Sequence, residues 1–313
     1  MRQACDMRAF LLPFTLSVIH RPFPSLFMKP SLRFAFLTVT IRALAAATLL
    51  LTSGPGFPNV WSEAEEPSTG PARAIGDTSA GCITGARSLP LEGEGYVVMH
   101  LERNRHYGHP ELIQAIRSIG SRVAQGLGMM HVGDLGMARG GPMPFGHRSH
   151  QTGLDADVWY DLSTTLHRNA DSLRSNLNAP SFLSNITHEL DQRLWSDKQA
   201  QMLKATATLP SVDRIFVNAR VKQELCDSTH GDRSWLHKIR PWFYHDDHFH
   251  LRLSCPPDSP SCVRQEPIPP GDGCDSSLSW WLGRSQPAPT DKKPPPPPKP
   301  VMPVECRRVL SAD

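Results

Sequence analysis

Between residues 110 and 125 the apolar side chains recur every three or four positions. Leu112, Ile113, Ile116, Ile119 and Val123 form one stripe, which predicts an amphipathic helix. Pro110 suits its first turn. The period then drops to two in a pair of distant segments. In 154–160, Leu154, Ala156 and Val158 share one face, and Asp155 and Asp157 share the other. In 248–253, Phe249, Leu251 and Leu253 point one way, and His248, His250 and Arg252 the other. Each predicts a half-buried strand with ionisable groups on one side. Further helices are expected over 196–208 and 220–226, with a buried strand over 214–218 between them. The stretch from Met129 starts like a short strand and runs into a loop rich in Gly and Pro.

This patterned body spans 81–274. Residues 54–80 read as an irregular arm, rich in Gly, Pro, Ser and Glu. Regular pattern fades beyond residue 256. Residues 275–313 read as a proline-rich C-terminal tail, with a polyproline-type tract over 287–303 acting as a spacer. At the other end, Lys29, Arg33 and Arg42 precede an uncharged run over 43–51, and Ser53 to Pro55 break it. A basic start, a short apolar run and a small-residue exit describe a secretory signal within residues 1–53, with Met28 as its natural start. The run is short for a membrane span, so an uncleaved anchor is the lesser alternative. No stable membrane insertion is expected after its removal.

The chain of 313 residues holds seven Trp and twelve Phe, enough for a sizeable core. Its 33 basic and 30 acidic side chains nearly cancel, which argues against a nucleic-acid partner. Cys5 lies in the segment an export signal would lose. The six others, Cys82, Cys226, Cys255, Cys262, Cys274 and Cys306, read as three disulfides of an exported protein. Their pairing is left open. None forms a C-x-x-C pair, which argues against a cysteine-type zinc knuckle.

Five of the 14 histidines fall in two clusters, one holding His147 and His150 and the other His245, His248 and His250. Along the second predicted strand two imidazoles lie about 7 Å apart on one face. Carboxylates and imidazoles on a core-backed sheet are costly unless something compensates them. A divalent cation does so, and this donor chemistry suits zinc. The expected ligands are His150, Asp157 and His250, with His248 free for acid–base work. Taken singly, each histidine reads more simply as a surface or core residue. Both clusters together, on matching amphipathic strands, favour the metal. Asp155 reads equally as a residue orienting a ligand histidine or as a solvated strand position. Ser149 has no S-x-x-K context, which argues against a serine nucleophile.

The stretches GDLGMARGGPMPFGHRSHQTGLDADVWY and RIFVNARVKQELC, with WLHKIRPWFYHDDHFHLRLSCP, resemble the penicillin-insensitive murein endopeptidase family. That family stands with the zinc peptidases that include lysostaphin-type and D-alanyl-D-alanine-cleaving enzymes. The resemblance implies an α+β zinc peptidase fold with a small, central, largely antiparallel sheet, flanking helices and disulfide staples. It implies hydrolysis of D-alanyl–meso-diaminopimelyl cross-links in periplasmic peptidoglycan. Carried over by motif, His150, Asp157 and His250 look like the zinc ligands, and His147 like a further histidine at the metal. His248 looks like the general base, and His245 like a second active-site histidine near the oxyanion. The implied disulfides are Cys82–Cys306, Cys226–Cys274 and Cys255–Cys262. A second metal position of the family has its nearest match at Asn185 and His188, with an amide where a carboxylate is expected. A carboxypeptidase acting on D,D or L,D termini, or a non-catalytic wall-binding zinc protein, would use the same ligands. The sequence is compatible with an oligomer.

Overall fold

The computed structural model describes residues 59–164, 171–283 and 301–312. The export-signal region, Cys5 and most of the proline tract lie outside the described residues. The chain opens with an antiparallel pair, β1 (Arg73–Asp77) and β2 (Ala80–Thr84). A second small pair joins β3 (Arg87–Ser88) to β6 (Tyr107–Gly108). The remaining strands build one seven-stranded sheet. They are β4 (Glu92–Gly93), β5 (Tyr96–Val98), β7 (Met130–Val132), β8 (Asp155–Trp159), β9 (Val212–Val217), β10 (Ile239–Pro241) and β11 (His248–Leu253). Their spatial order is β10-β9-β11-β8-β7-β5-β4. Only β10–β9 and β7–β5 pair in parallel, so the sheet is largely antiparallel, as expected.

Helix α1 (Pro110–Val123) starts where the Nδ1 of His109 accepts the Glu111 N–H and Pro110 takes the first turn. Its five predicted stripe residues all join the main core. The same core holds Ala156 and Val158 of β8 and Phe249, Leu251 and Leu253 of β11. Burying each such side chain contributes about 1.5–3 kcal/mol. Helix α2 (Asp171–Asn176) is a short element before the loop to α3. Helix α3 (Asp197–Ala207) begins with a reciprocal cap between Ser196 and Gln199. Helix α4 (Ala219–Ser228) begins at Asn218, whose side chain accepts the Arg220 N–H at 2.9 Å. Among the described residues, no helix is long and apolar enough to cross a membrane.

Two sequence expectations change. The arm is not irregular to its end, because Arg73–Asp77 is a strand. Gly76 exchanges backbone hydrogen bonds with Ser261 and Val263, and Ala74 is buried, so long-range pairing orders a stretch too short to show a period. The tail likewise carries structure at both ends: α5 (Ser276–Leu282) and α6 (Glu305–Ser311). Helix α6 buries Cys306 and Val309 beside Trp61, Ile75 and Cys82. The disulfides are Cys82–Cys306, Cys226–Cys274 and Cys255–Cys262, the pairing the resemblance implied. The first fastens α6 to β2.

Candidate metal centre

Strands β8 and β11 are neighbours, and their register sets His250 opposite Asp157 and Arg252 opposite Asp155. One face of this pair is core. The other gathers Asp155, Asp157, His248 and His250. The loop before β8 turns back through Gly153, whose φ of 68° is the left-handed conformation glycine adopts without strain. It brings His150 against the same face.

Hydrogen bonds from behind set the tautomers. His150 donates Nδ1–H to the Leu135 carbonyl at 2.8 Å, which leaves Nε2 with its lone pair. His250 donates Nε2–H to Asp155 Oδ1 at 2.8 Å, which leaves Nδ1. Both free nitrogens lie 3.4 Å from Asp157 Oδ1. His150 Nε2 and Asp157 Oδ1 are buried with no hydrogen-bond partner among the described residues. Orphaned buried acceptors facing one another are costly. A bound cation removes that cost, so these donors fit a metal ion.

His147 stands on the other carboxylate oxygen. Its Nε2 lies 3.4 Å from Asp157 Oδ2 and 3.1 Å from Asp134 Oδ2. The ligand atoms of His147, His150 and Asp157 fall within 4.8 Å of one another, a group that could hold a metal. The His147 Nε2 is taken up by a hydrogen bond to Asp134 Oδ2, however, whereas His250 Nδ1 faces Asp157 with its lone pair. The tautomers therefore favour His250 as the third ligand.

Electrostatics follow the same geometry. Burial raises the Asp155 carboxyl, but Arg252 (Nε to Oδ1 2.6 Å) and His250 outweigh it and hold it below the usual carboxylate range. The Asp157 carboxyl is pushed up by burial and pulled well below its ordinary value by His150, His147 and His248. Asp155 is fully buried, so it is not a solvated strand residue; it holds His250 and Arg252 instead.

His248 donates Nδ1–H to Asp247 and turns Nε2 toward Asp157 Oδ1 at 3.6 Å. Burial disfavours its charge, but Asp157 and Asp247 raise its pKa to about 9. The neighbouring ring of His245, 5.0 Å away between centroids, is lowered to about 4 by burial and by His248. His245 donates Nδ1–H to the Phe243 carbonyl at 2.7 Å.

Backbone strain gathers here. His150, Tyr244 and His245 take left-handed φ values of 70°, 61° and 53°. Such residues cost about 1–3 kcal/mol each and persist only where other contacts hold them. Asn218 is one such contact. Its Nδ2 bonds the Tyr244 carbonyl at 2.8 Å, and its backbone N–H bonds the His245 carbonyl at 3.0 Å.

The cluster opens on a groove of about 630 Å³, lined in part by His147, Phe216, Trp242, Tyr244, His245 and His248. A smaller cavity of about 180 Å³ shares His147 and His248 with it and adds His100, Arg103 and Asp134. The candidate residues other than His188 thus converge on one carboxylate or its immediate neighbours. His188 lies exposed on a turn closed by its N–H to the Ser184 carbonyl, beside exposed Asn185, and does not join the group. Sequence reasoning missed Asp134, Arg105, Asp247 and Asn218. Asp134 accepts from Arg105 at 2.7 Å and Arg103 at 3.2 Å. Its only signal was an acid one glycine beyond a short strand.

A buried carboxylate ringed by imidazoles, with lone pairs aimed at it and a groove alongside, defines a site of the metallopeptidase class. The chain belongs to the penicillin-insensitive murein endopeptidase family, a metallopeptidase family whose sequence model matches residues 74–311. A penicillin-insensitive murein endopeptidase of Haemophilus influenzae is 42% identical over 256 residues, covering 80% of this chain and 88% of the relative. One of Klebsiella pneumoniae (strain 342) is 40% identical, covering 85% and 96%. One of Escherichia coli O9:H4 is 40% identical, covering 86% and 97%.

Proposed function

We propose that this chain is a zinc-dependent murein endopeptidase that hydrolyses D-alanyl–meso-diaminopimelyl cross-links of peptidoglycan in the periplasm. The observation that carries the metal is the pair of buried, unpartnered atoms His150 Nε2 and Asp157 Oδ1, 3.4 Å apart. With His250 Nδ1 they supply the two imidazoles and one carboxylate that suit zinc. A zinc ion held there would supply Lewis-acid polarisation and acidify bound water.

The protein's own groups do the rest. Asp155 and the Leu135 carbonyl lock the two ligand rings. A cation on Asp157 would offset the charge that raises His248 to about 9, leaving Nε2, with Nδ1 tied to Asp247, free to take the proton of the attacking water and pass it to the leaving amine. His245 presents a second Nε2 beside it. Its Nδ1–H is committed to Phe243 and burial keeps the ring neutral, so that Nε2 accepts a hydrogen bond. The oxyanion-donor role expected from the resemblance requires a protonated ring. Accepting from the water or the amine fits the tautomer that the Phe243 carbonyl selects.

The test is digestion of purified sacculi with and without a chelator, followed by chromatography of the muropeptides. Conversion of cross-linked dimers to monomers, abolished by chelator and restored by zinc, supports the reading. Trimming of terminal residues with cross-links intact identifies a carboxypeptidase. Zinc loading without hydrolysis identifies a binding protein.

A further inference from the structure

We infer that a run of aromatic rings leading out of the groove is a platform for the sugar faces of murein glycan strands. The run starts at the metal centre. Phe216 on β9 meets the His250 ring edge-on at 5.4 Å and the Trp242 ring at 5.6 Å. Trp242 meets Trp281 of α5 at 5.6 Å, and Phe243 meets Trp281 at 5.0 Å. Trp281 in turn meets Trp280 at 5.0 Å. Three separate parts of the chain therefore contribute to one continuous ridge. The Cys226–Cys274 disulfide and the Asp275 cap, which accepts the Ser277 N–H at 2.9 Å, fix α5 at its far end.

Core packing does not account for this ridge. Trp242 is 48% exposed, Trp280 49% and Tyr244 61%. Trp281, itself half-buried like Phe243, joins the exposed Trp242 and Trp280 into one patch, and such a patch of large rings marks an interaction surface. Trp242 and Tyr244 also line the groove, so the surface is continuous with the site proposed to take the peptide cross-link. Murein carries its peptides on strands of amino sugars, so a chain seated in the groove brings sugar rings alongside. A pyranose presents a face of C–H groups and a rim of hydroxyls and amides. Tryptophan offers a matching apolar face and an N–H donor at its edge. The stacked members Trp242, Phe243, Trp280 and Trp281 are all uncharged, which suits a neutral sugar better than an ionic partner.

This inference rests on the murein reading, and the experiment separates the two. Trp280 lies outside the groove, so Trp280→Ala should cleave soluble cross-linked peptide dimers at the parent rate. Its co-sedimentation with intact sacculi, and with glycan chains stripped of peptide, should weaken about tenfold, the equivalent of one lost stack. Trp280→Phe should recover most of it. As a check independent of any variant, β-1,4-linked N-acetylglucosamine oligomers should shift the tryptophan fluorescence of the parent. Unchanged binding of Trp280→Ala to stripped glycan, or no fluorescence response in the parent, overturns the platform. So does a change in oligomeric state on substitution, which would mark the ridge as a contact between copies. A parent protein that cleaves no dimer sinks the murein reading instead.

Discussion

Asp155 accepts the Nε2–H of His250 at 2.8 Å, and this one bond decides which nitrogen of His250 faces Asp157. Asp155 also carries Arg252 and the backbone N–H of His150, at 2.6 and 3.1 Å. It thereby reaches two of the three proposed ligands. Replacing Asp155 by Asn should weaken metal affinity about 10–100-fold. It should also lower stability, because it leaves Arg252 buried without its counter-charge. Metal retention against a competing chelator, read beside a melting curve, tests both. Parent-like retention would remove the positioning role.

Asp157→Ala should lose the metal outright, and His248→Ala should not. The second variant is expected to keep stoichiometric zinc while turnover of cross-linked dimers falls about 10²–10⁴-fold. Elemental analysis and dimer digestion on the same two preparations decide the matter. Normal turnover by His248→Ala would move the base to another residue.

The three disulfides close loops of very different length, with sequence separations of 224, 48 and 7 residues. Chain-entropy arithmetic gives about 5, 4 and 2 kcal/mol respectively. Denaturant unfolding of the double-alanine variants should therefore rank Cys82–Cys306 first and Cys255–Cys262 last. The reverse order would show that strain or residual structure outweighs loop length.

Lys222 is fully buried and donates Nζ–H to the carbonyls of Leu236 and Asp272. Burial, with Arg240 and Arg233 nearby and only partly offset by Asp272 and Asp275, lowers its pKa to about 7. The unfolded chain keeps that proton to about pH 10.4. Between those limits the unfolded state binds more protons, so the Lys222 contribution to stability rises with pH and is least below pH 7. Lys222→Met should accordingly cost more stability at pH 9 than at pH 6. Urea unfolding of parent and variant at the two pH values measures the difference, and a cost independent of pH would refute the shift.

Much of the site was legible because its strands obey a period of two. The alternation over 154–160 and 248–253 separated core from ligand face before any coordinates, and β8 and β11 appear there as adjacent partners. Helix α1 was legible for the same reason at a period of 3.6. What stayed hidden depends on contacts between distant residues. Strand β1 is ordered by Gly76 pairing with Ser261 and Val263, and α6 by Cys306 on Cys82. Asp155 had two readings until its burial beneath Arg252 and His250 chose one. Asn218 looked like an ordinary strand end, yet it clamps the strained carbonyls of Tyr244 and His245.

The pairing of His250 with Asp157 in the β8–β11 ladder has one further consequence. Since neighbouring positions on a strand face opposite ways, a single-step slip of β11 swings His248 and His250 into the oily side, and one of β8 does the same to Asp155 and Asp157. An insertion or deletion inside either strand would then silence the enzyme with each proposed ligand still encoded, so an intact motif does not by itself identify a working copy.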